Sequence, residues 1–272
     1  MNTRFDSQLR DMAASMGFTE PVYVTRPNLP PLEHVMNTLR PAWEHQWITN
    51  DGELHARLET ELARLLEAPY LDLFCNGTVA LMTALKALDL ENGSVITTPF
   101  TFPATVNVLH WSGLRPVFCD IQRDTYNLNP DLLEPLITSE TRAILPVHVY
   151  GTPCDMERIA AIAARHQLPV IYDAAHAFGV RYQGKSVLLH GDISMLSFHA
   201  TKIFTTAEGG ALITPNAALH ARVRLLKNFG ITGEETVSEP GINGKMNELQ
   251  AALGLAQIDG LDANREKRKR LT

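Results

Sequence analysis

From Leu54 onward the apolar positions Leu58, Leu62, Leu65 and Leu66 recur three and four residues apart, behind the turn-rich stretch Thr49-Asn50-Asp51-Gly52. That spacing puts them on one face of an amphipathic helix. A short apolar run at 71–75 then leads into Asn76-Gly77-Thr78, after which Leu81, Ala84, Leu85 and Leu88 mark a second helix. The unit is strand, tight turn, helix. Further short runs rich in β-branched residues fall at 95–98, 116–121, 143–149, 170–173 and 193–198, with another at 211–213. Several are separated by helical patterns, of which Met156–His166 is the clearest.

Buried strands alternating with helices imply an α/β fold, a mostly parallel sheet sandwiched by helices. Such sheets place ligands beyond the carboxyl ends of their strands. Residues 76–78, 173–176 and 197–202 all lie just past expected strands, so candidate chemistry belongs there. Pro27, Pro30 and Pro31 mark residues 1–30 as an extended N-terminal arm, packed on a neighbour or on its own domain. The body of the domain is expected over 31–257 and a terminal helix over 258–272.

The chain has 272 residues, 45% of them apolar, enough for a sizeable core. A net charge of −6 from intermingled acids and bases points away from nucleic acid and membrane as partners. The one basic cluster, Arg265, Lys267, Arg268, Lys269 and Arg270, fits the solvated face of a last helix better than a nucleic-acid tail. Cys75, Cys119 and Cys154 show no CxxC spacing, against a zinc ribbon or a disulfide scaffold. With no apolar leader near the N-terminus and no long apolar segment, a cytoplasmic protein is expected.

Three groups carry candidate chemistry. Asn76-Gly77-Thr78 opens a helix, where free backbone N–H groups and the helix dipole suit a phosphate; ordinary capping explains the same residues. Asp173 ends an apolar run, with His176 three residues on. A buried acid there needs a cationic partner, and a protonated pyridine nitrogen is one; an Asp capping the next segment beside a gap-filling His is the alternative. Lys202, among apolar and hydroxyl-bearing residues and followed by Glu208-Gly209-Gly210, suits a neutral amine able to form an imine, or else a surface lysine or phosphate clamp. His148, Asp173, His176 and His199 suggest a metal only in number, since no short metal-binding signature joins them, and no GxGxxG follows a strand.

Together these motifs resemble the DegT-type (DegT/DnrJ/StrS) sugar aminotransferases, which are fold-type-I pyridoxal-phosphate enzymes. The likeness runs over about 24–257. It includes Trp47-Ile48-Thr49-Asn50 with Gly52, Asn76-Gly77-Thr78, Thr98-Pro99 with Thr101-Phe102, Asp173-Ala174-Ala175-His176, Ser197-Phe198 with Lys202, Glu208-Gly209-Gly210, and Asn243 with Lys245-Met246-Asn247. The wording of 146–151 and 197–210 is most similar to the branch that aminates C4 of TDP-4-keto-6-deoxyglucose. The resemblance implies pyridoxal 5′-phosphate held by Gly77, Thr78 and Ser197 at its phosphate, Phe102 on the ring face, His176 at the ring hydroxyl and Asp173 at the pyridine nitrogen. Lys202 becomes the Schiff-base residue, and Asn228 reaches the phosphate of the neighbouring subunit in a homodimer with a shared site.

Glutamate as amino donor and a nucleotide-linked keto sugar as acceptor follow from the same likeness, in O-antigen or other surface-glycan synthesis. Related sugar dehydratases carry His where this chain has Lys202, which points away from dehydration. Family members continue for about a hundred residues beyond 249–257, into a small C-terminal domain that helps close the substrate site. An absent or shortened C-terminal domain is therefore expected, and with it the alternative of a catalytically silent cofactor-binding or assembly subunit.

Overall fold

The structure, a computed structural model, describes residues 3–15, 20, 21, 23 and 25–271. Met1, Asn2, Val22, Val24 and Thr272, which fall in the expected arm, the start of the likeness and the terminal helix, lie outside the described residues, as do 16–19. Within 1–30, Thr3–Ser15 is a helix, α1, and 25–30 run without regular structure. There the Asn28 carbonyl accepts from Gln257 Nε2 at 2.6 Å, tying the proline-rich stretch to the domain.

Helices α2 (Leu32–Glu44) and α3 (Glu53–Leu66) precede β1 (Tyr70–Phe74), α4 (Gly77–Ala87), β2 (Ser94–Thr97), α5 (Pro103–Trp111), β3 (Arg115–Phe118), β4 (Thr141–Ile144) and α6 (Met156–His166). Next come β5 (Ile171–Asp173), the ribbon β6 (Arg181–Tyr182) with β7 (Lys185–Ser186), then β8 (Ile193–Ser197), β9 (Gly210–Thr214) and α7 (Ala217–Leu226). A second ribbon, β10 (Ile231–Gly233) with β11 (Thr236–Val237), leads to α8 (Glu248–Ile258) and α9 (Leu261–Leu271).

Strands β3-β2-β4 and β5-β8-β9-β1 form two hydrogen-bonded groups, joined by parallel bridges at Ile144–Val170 and Val147–Asp173. All seven run parallel except β9, antiparallel to both neighbours. The sequence pattern did not single β9 out. The reason lies in the connection, since residues 198–209 contain no crossover helix and a parallel return needs one. Leu58, Leu62 and Ile159 pack one face, with α8; Leu81, Leu85, Leu109 and Val223 from α4, α5 and α7 pack the other. This is the sandwich expected from the alternation of patterns.

Two strands are shorter than expected. Past Phe118, Cys119 N–H still bonds to Thr97 O, and residues 120 and 121 then leave the ladder. In 143–149 the regular strand ends at Ile144, yet pairing runs on: Leu145 N–H bonds to Ile96 O, Pro146 O accepts from Asp173 N–H and His148 N–H bonds to Asp173 O, before Tyr150 turns the chain with a left-handed conformation at φ 53°. The basic cluster lies on exposed positions of α9, while Leu261 anchors its start. No helix among the described residues is long and apolar enough to cross a membrane.

The Trp47–Gly52 stretch is fixed from far along the chain. Glu248, buried at the start of α8, accepts Leu54 N–H at 2.8 Å and His55 N–H at 3.0 Å, and its own N–H bonds to Ile48 O. A carboxylate thus sits on the N-terminus of α3, where donors are unpaired and the dipole is positive. Gly52 is needed beside it, since a Cβ there would meet the Glu248 carboxylate at 2.6–2.9 Å. Glu248→Ala is expected to destabilise by about 2–3 kcal/mol, because two buried N–H groups lose their acceptor. Chemical denaturation with an unchanged slope checks this.

Candidate active site

The turn after β1 is built around an open helix start. Asn76 caps α4 through its side chain, which accepts Val79 N–H at 2.8 Å, and its carbonyl takes Ala80 N–H. The N–H groups of Gly77 and Thr78 meet no acceptor among the described residues. Beside them runs the first residue of β9. A Cβ on Gly210 would lie 2.8 Å from both Gly77 N and Gly77 Cα, and one on Gly77 would meet Met195 Sδ at 3.1 Å and Ser197 Cβ at 3.4 Å. Two glycines therefore let three chain segments converge, with the exposed Thr78 and half-buried Ser197 at the edge. Gln250 braces the group, donating to Cys75 O at 3.0 Å and Glu208 O at 2.6 Å. The arrangement can hold a phosphate by backbone donors and hydroxyls.

Across the same sheet edge Asp173 ends β5, 4% exposed. Its Oδ2 accepts from Thr105 Oγ1 at 2.7 Å and its Oδ1 from Ala175 N–H at 3.1 Å. No salt-bridge partner meets this carboxylate among the described residues. Burial pushes Asp173 above the usual carboxylate range, against the pull of the Thr105 and Ala175 hydrogen bonds and of His176 and Lys202. Lys202, one residue past the turn that bonds its N–H to His199 O, is pushed below the ordinary lysine value by burial, with Asp173 opposing. His176 is lowered by desolvation and by Lys202, and its ring lies parallel to Tyr150 at 6.2 Å. Asp173 ends β5 and Lys202 follows β8, its parallel neighbour, so acid and amine lie at the same end of the sheet, and burial shifts the amine toward the neutral, nucleophilic form.

Phe102 is the N-cap residue of α5 and 75% exposed, so its ring face is open beside this edge. Asn228 stands elsewhere, half-buried in the loop after α7 and bridged to Asn243. Its neighbour Lys227 is buried, with Nζ 3.1 Å from Asp72 Oδ1 in β1, which ties that loop to the strand leading into Asn76. His148 is not at the site surface: it is fully buried, stacked on Tyr172 at 4.7 Å, and its Nδ1 accepts Cys154 N–H at 3.0 Å. Burial depresses it to about 3, so it stays neutral. His199 sits on the Lys202 loop instead, between Thr201 Oγ1 at 3.0 Å and Glu208 at 3.7 Å.

Thr105, Gly210 and Gln250 were absent from the residues proposed on sequence grounds. Thr105 had a signal: it occupies the first position of the buried stripe Thr105, Val108, Leu109, and a hydroxyl on a buried face needs a partner. Gly210 was named within the Glu208-Gly209-Gly210 motif but given no role of its own, and Gln250 had no signal beyond capping-box spacing from Asn247.

A seven-stranded sheet with one antiparallel strand, an open helix N-terminus after β1, and an acid and a desolvated lysine at the ends of β5 and β8 define a fold-type-I pyridoxal-phosphate domain. The sequence profile of the DegT/DnrJ/EryC1/StrS aminotransferase family matches residues 32–272, and the chain belongs to that family. It is 50% identical, over 89% of its own length, to a dTDP-4-amino-4,6-dideoxy-D-glucose transaminase of Shigella dysenteriae, and 48% identical, over 90%, to the protein of that name from Escherichia coli. The chain spans 66% of the length of each. Among solved structures it is similar to DesI in the presence of its TDP-sugar product, with a TM-score of 0.87 and 38% identity over 94% of this chain and 66% of that one.

The family's cofactor is pyridoxal phosphate, and the residues present fit it. Free N–H groups walled by glycine suit the phosphate, a buried carboxylate with no salt-bridge partner suits a protonated ring nitrogen, and an amine shifted toward neutrality suits the aldehyde.

Proposed function

We propose that residues 31–257 form the cofactor-binding domain of an aminotransferase that moves an amino group from glutamate to a nucleotide-linked 4-keto-6-deoxy sugar, TDP-4-keto-6-deoxyglucose. The observation that carries this is the shared edge at which a desolvated Lys202, a buried Asp173 and the open N–H groups of Gly77 and Thr78 stand together. The name of the 50%-identical relative and the TDP-sugar product of the similar structure support this choice of sugar.

Bound, pyridoxal phosphate supplies an electron sink for the carbon that gains or loses a proton. Gly77, Thr78 and Ser197 hold the phosphate. Asp173 would pair with the ring nitrogen and keep it protonated, and His176 would hold the ring hydroxyl. Lys202 would attach the cofactor, and its Nζ, which burial shifts toward neutrality, would hold and pass on the proton that the reaction moves. Phe102, exposed beside this edge, would lie against the ring. Asn228 reaches the phosphate in a second copy, making a homodimer with shared sites, in a cytoplasmic step of surface-glycan synthesis.

The test is direct: purified protein is mixed with pyridoxal phosphate, then glutamate, then the keto sugar, and oxoglutarate and amino sugar are quantified. A visible band lost to glutamate and restored by the sugar is the expected result; a band that glutamate leaves untouched sinks the reading. Gly210→Ala is expected to weaken cofactor binding at least about tenfold, because the new methyl displaces the Gly77 N–H. Titration of the visible band checks it.

A further inference from the structure

Thr105 belongs to α5, beside the end of β5, and is fully buried. Its Oγ1 lies 2.7 Å from Asp173 Oδ2 and 2.7 Å from Thr101 Oγ1. A hydroxyl has one proton to give, and an ionised carboxylate only accepts. With Asp173 ionised, Thr105 therefore donates to Oδ2, and Thr101 donates to Thr105. The second carboxylate oxygen takes Ala175 N–H, so each oxygen has its own donor and rotation of the carboxylate is fixed. Thr101 precedes Phe102, and the two hydroxyls thus join the loop carrying the exposed ring to the buried acid.

We infer that Thr105, backed by Thr101, is a positioning residue that holds the Asp173 carboxylate ionised and in one orientation toward the cofactor's ring nitrogen. This rests on the function proposed above. Burial acts in the opposite sense on Asp173, and Lys202 and His176, the titratable groups facing it, assist it only while charged. The two are themselves shifted toward neutrality. Hydroxyl donors keep working when those charges are gone.

The experiment compares wild type, Thr105→Val, Thr105→Ser and Thr101→Val. Each is titrated with pyridoxal phosphate labelled with 15N in its ring, following the visible band for affinity and the 15N resonance for protonation of the ring nitrogen. Thr105→Val keeps the shape and removes the donor; it should bind roughly 10- to 100-fold more weakly, with the resonance moved toward the neutral ring. Thr105→Ser should restore both, and Thr101→Val should move both in the same direction by a smaller amount. A Thr105→Val protein that melts earlier yet keeps wild-type affinity and resonance overturns the inference, leaving Thr105 a packing residue. If Thr105→Val does not fold, a wild-type resonance in Thr101→Val together with unaltered binding overturns it equally. Wild type without a visible band would instead defeat the functional reading itself.

Discussion

Lys202→Ala is expected to abolish the visible band of the lysine-bound cofactor and to lower amino transfer by at least about 10⁴-fold, since in the proposed function one residue both attaches the cofactor and moves the proton. The variant should still bind pyridoxal phosphate, because Gly77, Thr78 and Asp173 do not depend on the amine. Borohydride reduction followed by mass spectrometry separates the two effects: wild type gains the mass of the cofactor at Lys202 and the variant gains none. Folding is not at stake. Burial lowers the Lys202 pKa, so the folded state binds fewer protons there than the unfolded one, and this cost grows as pH falls below the ordinary lysine range. Cofactor-free Lys202→Ala is therefore expected to melt no earlier than wild type near neutral pH. Borohydride labelling of a lysine other than Lys202 would remove Lys202 from its role.

The division between what the sequence disclosed and what it hid follows range of interaction. Met156–His166 was legible in full because its periodicity, Asp155 cap and left-handed Gln167 end are all local. The strand runs and the residues just beyond them were legible for the same reason, which is why 76–78, 173–176 and 197–202 fell on one sheet edge. Glu248 was not legible. Its partners are the N–H groups of Leu54 and His55, almost two hundred residues away, and nothing in its own neighbourhood separates it from a solvated helix-start acid. Lys227 was hidden likewise, a lysine beside the singled-out Asn228 that turns inward to Asp72 of a strand whose apolar wording conceals a buried carboxylate. His148, grouped by type with Asp173, His176 and His199, lies buried and stacked on Tyr172, and burial keeps it neutral, a placement that its local sequence does not reveal.

Asp173→Asn tests the other half of the site, and its expected signs oppose one another. An amide cannot balance a protonated ring nitrogen, so transfer should fall by roughly 10²- to 10³-fold even where cofactor still binds. Without cofactor the same change relieves the fold. Burial raises the Asp173 pKa, so the folded state holds a proton more tightly than the unfolded state does. Stability contributed at this position is therefore present at low pH and is lost as pH rises through the raised folded value. Asn carries no charge to bury and escapes that loss. Melting of the cofactor-free proteins should place Asp173→Asn level with or above wild type at pH 8, the gap closing toward pH 4, while cofactor reverses the order by stabilising wild type more. A variant that melts well below wild type at pH 8 without cofactor would mean that Thr105 and Ala175 already hold the carboxylate at no net cost. In the proposed function stability and activity pull apart at Asp173, since a charge that burial disfavours is kept for the ring nitrogen of a cofactor that binds after folding.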